Sequence, residues 1–191
     1  MIKISNFKCI GVENFLLLCI STIVPVATFS MASAAQVQST VNATDFDLTI
    51  NNQKVSLENS WSDPLKKRLG AQESEAFVGD VPIGNGSYKY YQHNYRGFSI
   101  YTSNLEWDKQ HRDVDTYIIA QITIDSPEIK TSRGVKVGTS KDVLVRKYGK
   151  GTVDTSDEQY WIYYDGEGKR ISFQLEGGKV SHIMMVINPD D

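Results

Sequence analysis

Cysteine is scarce in this chain of 191 residues, and its two copies, Cys9 and Cys19, both lie near the N-terminus. We predict that both are removed with a secretory signal peptide formed by residues 1–34. The mature chain would then contain no thiol, which excludes a disulfide framework, a cysteine nucleophile and a cysteine-ligated metal site. An exported protein of this composition depends on its hydrophobic core for stability.

The signal peptide is predicted from charge and hydropathy. Lys3 and Lys8 precede an apolar run over residues 15–29, and Ala32 and Ala34 form a small-x-small cleavage motif. The alternative is an uncleaved membrane anchor, but the run is shorter than the ~20 residues that a membrane span needs. We therefore expect a secreted protein, extracellular or associated with the cell wall, with no stable membrane span after processing.

Strong charge and catalytic motifs are also lacking. The net charge of −3 gives no basic face, which argues against nucleic acid as a partner. The three histidines, His93, His111 and His182, stand at no recognised metal-binding spacing. The chain has no Gly-x-Ser-x-Gly elbow, phosphate loop or calcium hand. We therefore predict a protein that is not an enzyme and holds no cofactor or metal; the alternative is a hydrolase with an unrecognised pair of carboxylates.

The most regular pattern in the chain is found in residues 135–187. A residue able to cap a helix, Thr139 or Ser140, precedes apolar residues at helical spacing, and Gly149 stands where a left-handed residue ends a helix. Three strand-like segments follow, separated by short turns that contain glycine. Turns this short join antiparallel neighbours, so the pattern predicts one short helix laid across a three-stranded meander.

Much of this pattern also occurs earlier, over residues 55–124, where Ser62 or Asp63 caps a short helix that ends at Gly70. A hairpin with Asn51-Asn52 at its turn precedes it. We therefore predict an α+β fold of two tandem copies of a short helix packed on an antiparallel meander sheet. The predicted segments are a signal peptide (1–34), a polar tether (35–45), a first repeat with the extra N-terminal hairpin (46–126) and a second repeat (127–191).

Aromatic residues mark the candidate binding surface. If Ile162 faces the helix, strand alternation places Trp161 and Tyr163 on the opposite, open face of the sheet. Alternation adds Ser172, Gln174, His182, Met184 and Val186 from the second repeat and Ser99, Tyr101, Ile119 and Gln121 from the first. The long connection over residues 104–115 is predicted to be functional as well. The predicted binding residues are Tyr101, Trp107, Trp161, Tyr163, Gln174, His182 and Met184; no catalytic residue and no metal ligand is predicted.

The run Gly-Val-Lys-Val-Gly-Thr-Ser-Lys-Asp at residues 134–142, continued to Gly149 and followed by aromatic strands, resembles two related groups of proteins. One is the β-lactamase-inhibitor-protein-like fold of tandem helix-and-sheet repeats, and the other is the SmpA/OmlA-type envelope lipoproteins. The layout is also similar to that of uncharacterised secreted proteins of Gram-positive bacteria. The resemblance implies a non-enzymatic module that binds other proteins with the exposed face of a sheet. The mature chain has neither the disulfides of the inhibitors nor the lipidated cysteine of the lipoproteins, so no inhibitory residue and no β-lactamase target is carried over.

An exposed sheet face that combines Trp, Tyr and Met with uncharged polar residues has the composition of a protein interface. The predicted function is a secreted bacterial binding protein that recognises an extracellular or envelope protein through this face. The alternative is a cell-wall or polysaccharide-binding module that stacks sugar rings on the same aromatic side chains. Retention on purified peptidoglycan distinguishes the two.

Overall fold

The computed structural model describes residues 41–188, which fold into a mostly β structure. Within that range no helix is long and apolar enough to cross a membrane. The predicted signal peptide and residues 35–40 of the predicted tether lie outside it. The regular elements are β1 (Asp47–Ile50), β2 (Gln53–Ser56), α1 (Asp63–Leu69), β3 (Ser74–Ile83), β4 (Gly86–Tyr95), β5 (Phe98–Ser103), β6 (Ile118–Ile124), α2 (Lys141–Tyr148), β7 (Thr152–Asp154), β8 (Trp161–Gly166), β9 (Lys169–Glu176) and β10 (Lys179–Ile187), with 3-10 turns at Ala43–Phe46 and Ser156–Glu158.

Eight of these strands form one antiparallel sheet in the order β3-β4-β5-β6-β10-β9-β8-β7. β6 and β10 join its two halves, with Ile124 paired to Ile183. β1 and β2 form a separate hairpin. Its turn residues Asn51 and Asn52 have φ angles of 49° and 60°, which confirms the turn predicted from that dipeptide.

The predicted α+β fold of two tandem helix-plus-sheet copies is wrong. Strands from both predicted repeats belong to the same sheet, and one hydrophobic core joins Leu65 and Leu69 of α1 to Leu144 and Tyr148 of α2. The reason lies at the strand edges. Two separate sheets would leave β6 and β10 each with a row of unpaired backbone groups, and pairing the two strands removes both edges.

Both helices are short and are held in place by packing. α2 has eight residues, begins after Ser140 and ends at Gly149, whose φ angle is 81°. α1 has seven residues and ends in the same way at Gly70, as the sequence predicts. Helices of this length are marginal in isolation. The ring of Tyr148 lies 5.1 Å from that of Phe173 on β9 and anchors α2 to the sheet.

The described part of the predicted polar tether, residues 41–45, contains a capped 3-10 turn and packs against the rest of the chain. Asn42 caps a 3-10 turn that contains Asp45, and Asp45 is only 2% exposed. Arg133 donates two hydrogen bonds of 2.6 Å to the two carboxylate oxygens, and its guanidinium lies 4.7 Å from the centre of the Tyr148 ring. Burial raises the pKa of Asp45, but hydrogen bonds from Arg133 and from the Asn42 N–H outweigh burial and hold that pKa below its usual value. The pair ties the start of the described chain to α2.

Candidate functional site

The eight-stranded sheet has one covered side and one open side. Both helices and the β1–β2 hairpin pack on the covered side, where they share one core with the sheet. No helix of residues 41–188 covers the other side, which we name the open face. It carries Ser99, Tyr101, Gln121, Thr123, Trp161, Tyr163, Arg170, Ser172, Gln174, His182, Met184 and Val186.

Strand β8 shows how the sequence separates the two sides. Ile162 and Tyr164 are each 2% exposed and lie in the core, whereas the residues that alternate with them, Trp161 and Tyr163, are half-buried on the open face. This is the arrangement that alternation predicts. A one-residue slip in register would exchange the two pairs, so burial of Ile162 fixes where the aromatic side chains point.

Strand register brings five of the predicted binding residues together. Trp161 is paired with Gln174, which is paired with His182 on β10. Tyr163 lies in the neighbouring row, which runs through Ser172 to Met184. We name Trp161, Tyr163, Gln174, His182 and Met184, with Arg170, the aromatic patch. Tyr101, a sixth predicted residue, shares the open face but lies on β5, beyond β10 and β6.

Arg170 is a member of the patch that sequence reasoning missed. Its guanidinium lies 4.0 Å from the centre of the Tyr163 ring. Asp165 accepts two hydrogen bonds from it, of 2.6 and 2.9 Å. A cation placed over an aromatic ring and held by a bidentate carboxylate is a fixed arrangement. The signal was present in the sequence, because Arg170 alternates with the buried Ile171.

The two other rings of the patch are also held by neighbours. The indole N–H of Trp161 donates to the Gln159 side chain at 2.9 Å, and its ring meets that of His182 edge-on at 5.9 Å. The Nδ1 atom of His182 lies within hydrogen-bond distance of the Asp125 carboxylate. Arg170 and His182 therefore both have partners within the chain, and the apolar parts of the rings remain for contact.

Trp107 does not belong to the aromatic patch. The connection between β5 and β6 folds onto one end of the open face, where Leu105 is 3% exposed and Trp107 packs on a cluster that contains Tyr88 and Ile118. The Asn104 side chain fastens it by donating to the Val114 carbonyl at 3.0 Å and accepting the Lys89 N–H at 2.8 Å. The connection is therefore a packed cover.

Ile119 is not on the open face. A bulge between Tyr101 and Thr102 shifts the pairing of β5 with β6, so Ile119 turns to the covered side and has no exposed area. One extra residue in a strand reverses the side-chain alternation beyond it. The expected alternation holds for Gln121 and fails past the bulge.

His93 lies in the core rather than on the surface. It is 3% exposed, its Nδ1 is 3.0 Å from a Glu75 carboxylate oxygen, and its Nε2 is 2.9 Å from the Thr102 hydroxyl. The ring of Trp61 packs against it at 4.4 Å. A carboxylate, a histidine and a hydroxyl linked in this way resemble the catalytic triad of a hydrolase. Thr102 is only 1% exposed, so its hydroxyl lacks the access that a nucleophile needs.

The buried His93 predicts a pH dependence of stability. Burial lowers its pKa, and the Glu75 carboxylate opposes this shift only in part. Below pH ~6.5 the unfolded chain takes up a proton that the folded chain resists, so the free energy of unfolding falls as the pH decreases from there towards the folded pKa. One such group changes it by at most about 1.4 kcal/mol per pH unit. Urea unfolding of the wild type and of His93→Gln between pH 7.5 and 5 measures the effect. Equal slopes in the two proteins would contradict it.

A cleft of about 490 Å³ lies away from the open face, between the β1–β2 turn, the end of α1 and the β4–β5 turn. Its volume is within the range of small-molecule sites. Of its polar lining groups, the Asn51 side chain already donates to the Leu69 carbonyl at 2.8 Å. Arg96 and Glu128 stand exposed at the rim. None of the predicted binding residues lines this cleft.

Comparison with known proteins identifies no family and no function for this chain. No family model matches the chain and no curated protein matches it, so the resemblance given above stays a prediction. A solved structure of the uncharacterised protein yfeY from Escherichia coli is similar over 76% of this chain and 99% of that one, at 12% identity and a TM-score of 0.45. A likeness this distant carries no argument about function. Among residues 41–188, no group of three or more His, Cys, Asp or Glu side chains could hold a metal ion.

Proposed function

We propose that this chain is a secreted, non-enzymatic binding protein that recognises an extracellular or envelope protein through the aromatic patch. The proposal rests on one observation: the register of β8, β9 and β10 gathers Trp161, Tyr163, Arg170 and Met184 into one half-buried area of the open face. Trp, Tyr, Met and Arg are enriched in the cores of protein interfaces, and Trp, Tyr and Arg dominate their hot spots.

The fixed side chains of the patch favour recognition. Asp165 holds Arg170 against Tyr163, and Gln159 and His182 flank Trp161. Ordering a flexible side chain on binding costs ~0.5–1.5 kcal/mol. Side chains that are already ordered avoid most of this cost, so more of the contact energy appears as affinity.

A polysaccharide is the alternative ligand, and the geometry favours it less. Stacking of a sugar ring needs a free aromatic face, and the Arg170 guanidinium lies over one face of Tyr163. Trp161 is left as the more suitable stacking residue. A protein partner, in contrast, contacts ring edges and the guanidinium as readily as ring faces.

Replacement of Trp161 by alanine should remove partner binding while the fold persists. Because Trp161 is half-buried on the uncovered side, we expect the free energy of unfolding to fall by no more than about 1 kcal/mol. Loss of a hot-spot tryptophan weakens binding by about 2 kcal/mol or more, roughly thirtyfold. The matched control is Val153→Ala, which truncates a side chain that is 49% exposed on the covered side of β7.

The measurement compares the wild type with both variants, immobilised and exposed in parallel to extracellular and envelope proteins and to purified peptidoglycan. The proposal expects a protein retained by the wild type and by Val153→Ala but not by Trp161→Ala. Retention on peptidoglycan without any such protein would support the polysaccharide alternative. If Trp161→Ala retains the same protein as the wild type, the aromatic patch is not the binding site.

A further inference from the structure

Strand β3 forms an unpaired edge of the sheet. β4 pairs with it on one side, and no strand of residues 41–188 pairs with the other side. Its first five residues, from Ser74 to Val78, are all exposed. Backbone N–H and C=O groups along such an edge can accept a further strand. At the opposite end of the sheet the outer strand, β7, has only three residues.

Aromatic side chains lie beside this edge. Phe77 is 54% exposed, and its ring lies 5.1 Å from that of Tyr91, its partner on β4. The Tyr91 ring in turn meets that of Tyr117 edge-on at 5.4 Å. These three rings start at the edge and continue onto the covered side of the sheet. We name β3 together with Phe77, Tyr91 and Tyr117 the β3 edge site.

The β3 edge site is acidic. β3 contains Glu75 and Asp80 and has no lysine or arginine. Burial and the neighbouring Tyr91 raise the pKa of Tyr117. The negative charges of Asp115 and Asp80 raise it further, so the carboxylates of these two residues both act on the Tyr117 hydroxyl. Lys89 of β4 is a cation and is paired with Asp80 of β3.

We propose that the β3 edge site binds an extended segment of another protein in which Lys or Arg residues alternate with apolar residues. Such a segment would bond, as an added strand, to the backbone groups of Ser74–Phe77 that point away from β4. Its cations would lie on the same side of the sheet as Glu75, Phe77 and Asp80, where they would face the two carboxylates and the exposed Phe77 ring, and its apolar side chains would lie on the other side, beside Ala76. This site is separate from the aromatic patch and does not depend on it.

The structure of β3 also limits what can pair there. A bulge follows Phe77, where Gly79 has a φ angle of 138°, and Pro82 carries no backbone N–H donor. Bulges and prolines blunt an edge against long, flat self-pairing. Two copies of β3 would also bring the acidic residues of both edges together. The geometry and the charge thus both favour a short basic segment over a second copy of this chain.

Two synthetic peptides of seven residues test the proposal, one alternating Val with Lys and the other Val with Glu. Fluorescence anisotropy with the full mature chain at low salt should show about tenfold tighter binding of the Lys peptide. Asp80→Lys should weaken that binding about fivefold, Lys89→Ala should strengthen it, and Phe77→Ala should weaken it. N-methylation of one alternate set of peptide amides should abolish binding, and methylation of the other set should leave it unchanged.

Trp161→Ala serves as the control, because a change at the aromatic patch should leave peptide affinity unaltered. The proposal would be overturned if the two peptides bound with equal affinity, if neither bound, or if N-methylation left the affinity unchanged whichever set of amides carried it. A concentration-dependent dimer that Phe77→Ala abolishes would overturn it as well, since a second copy would then occupy the edge.

Discussion

Replacement of Ile183 by aspartate should unfold the whole described structure, not one half of it. Ile183 has no exposed area, and on β10 it is paired with Phe173 of β9 and Ile124 of β6. An unpaired carboxylate buried there costs several kcal/mol, a large part of the ~5–15 kcal/mol by which a domain is stable. Because β6 and β10 join the two halves into one sheet, we expect ordered structure to disappear throughout, as circular dichroism and amide NMR dispersion would report.

Met184→Asp is the matched control. Met184 is the next residue of the same strand and lies half-buried on the open face, so the same change there should lower the free energy of unfolding by less than about 1.5 kcal/mol. A folded first half in the Ile183→Asp protein, with NMR signals of β3, β4 and β5 retained, would show that the halves are independent. Normal folding of that variant would show that the assignment of faces is reversed.

Replacement of Arg133 by methionine should have the second largest effect. The change leaves Asp45 buried without the cation that donates two hydrogen bonds to it. Removal of one partner of a buried ion pair lowers stability by ~3–5 kcal/mol. The folded state holds the pKa of Asp45 low, so this stabilisation is present above pH ~4 and is lost as the pH falls through the folded pKa.

The double variant Asp45→Asn with Arg133→Met identifies the cause. If the loss arises from an unpaired buried charge, removal of that charge should restore a large part of the stability, and the urea midpoint should rise relative to Arg133→Met alone. A loss below about 1 kcal/mol for Arg133→Met, or a double variant no more stable than the single one, would mean that the pair contributes little.

Local features of the fold could be predicted from the sequence because neighbouring residues determine them. The Asn51-Asn52 turn needs positive φ at both residues, which asparagine tolerates. Gly149 ends α2 for the same reason. The orientation of Trp161 follows from the burial of Ile162 and the two-residue period of a strand.

Features that join distant parts of the chain could not be predicted in this way. Local residue spacing does not indicate the pairing of Ile124 with Ile183. It also does not indicate the hydrogen bond from Arg133 to Asp45, which is 88 residues away. The bulge that buries Ile119 has no distinctive residue in the chain. The sequence gives no clear signal for β3, because Gly79 and Pro82 both weaken a strand pattern, although the strand forms at an edge, where such residues are tolerated.

The positions of the candidate-site residues could likewise be predicted where local alternation determines them, and not where contacts between distant parts of the chain do. Tyr101, Gln174, His182 and Met184 lie on the open face because side chains alternate regularly up to Tyr101 on β5, along β9, and from His182 onward on β10. The length of the connection predicts a functional role for Trp107, but length does not distinguish a free loop from one packed on the sheet, so the position of Trp107 could not be predicted. Whether the six open-face residues bind a partner stays a prediction.

Oxidation by hydrogen peroxide tests most directly whether the open face is available for contact. Met184 and Met185 are adjacent on β10 and point to opposite sides of the sheet; Met185 has no exposed area and Met184 is half-buried. Mass spectrometry of the native protein should find that Met184 forms the sulfoxide at least about ten times faster than Met185. Equal rates, or faster oxidation of Met185, would contradict the assignment of the open face.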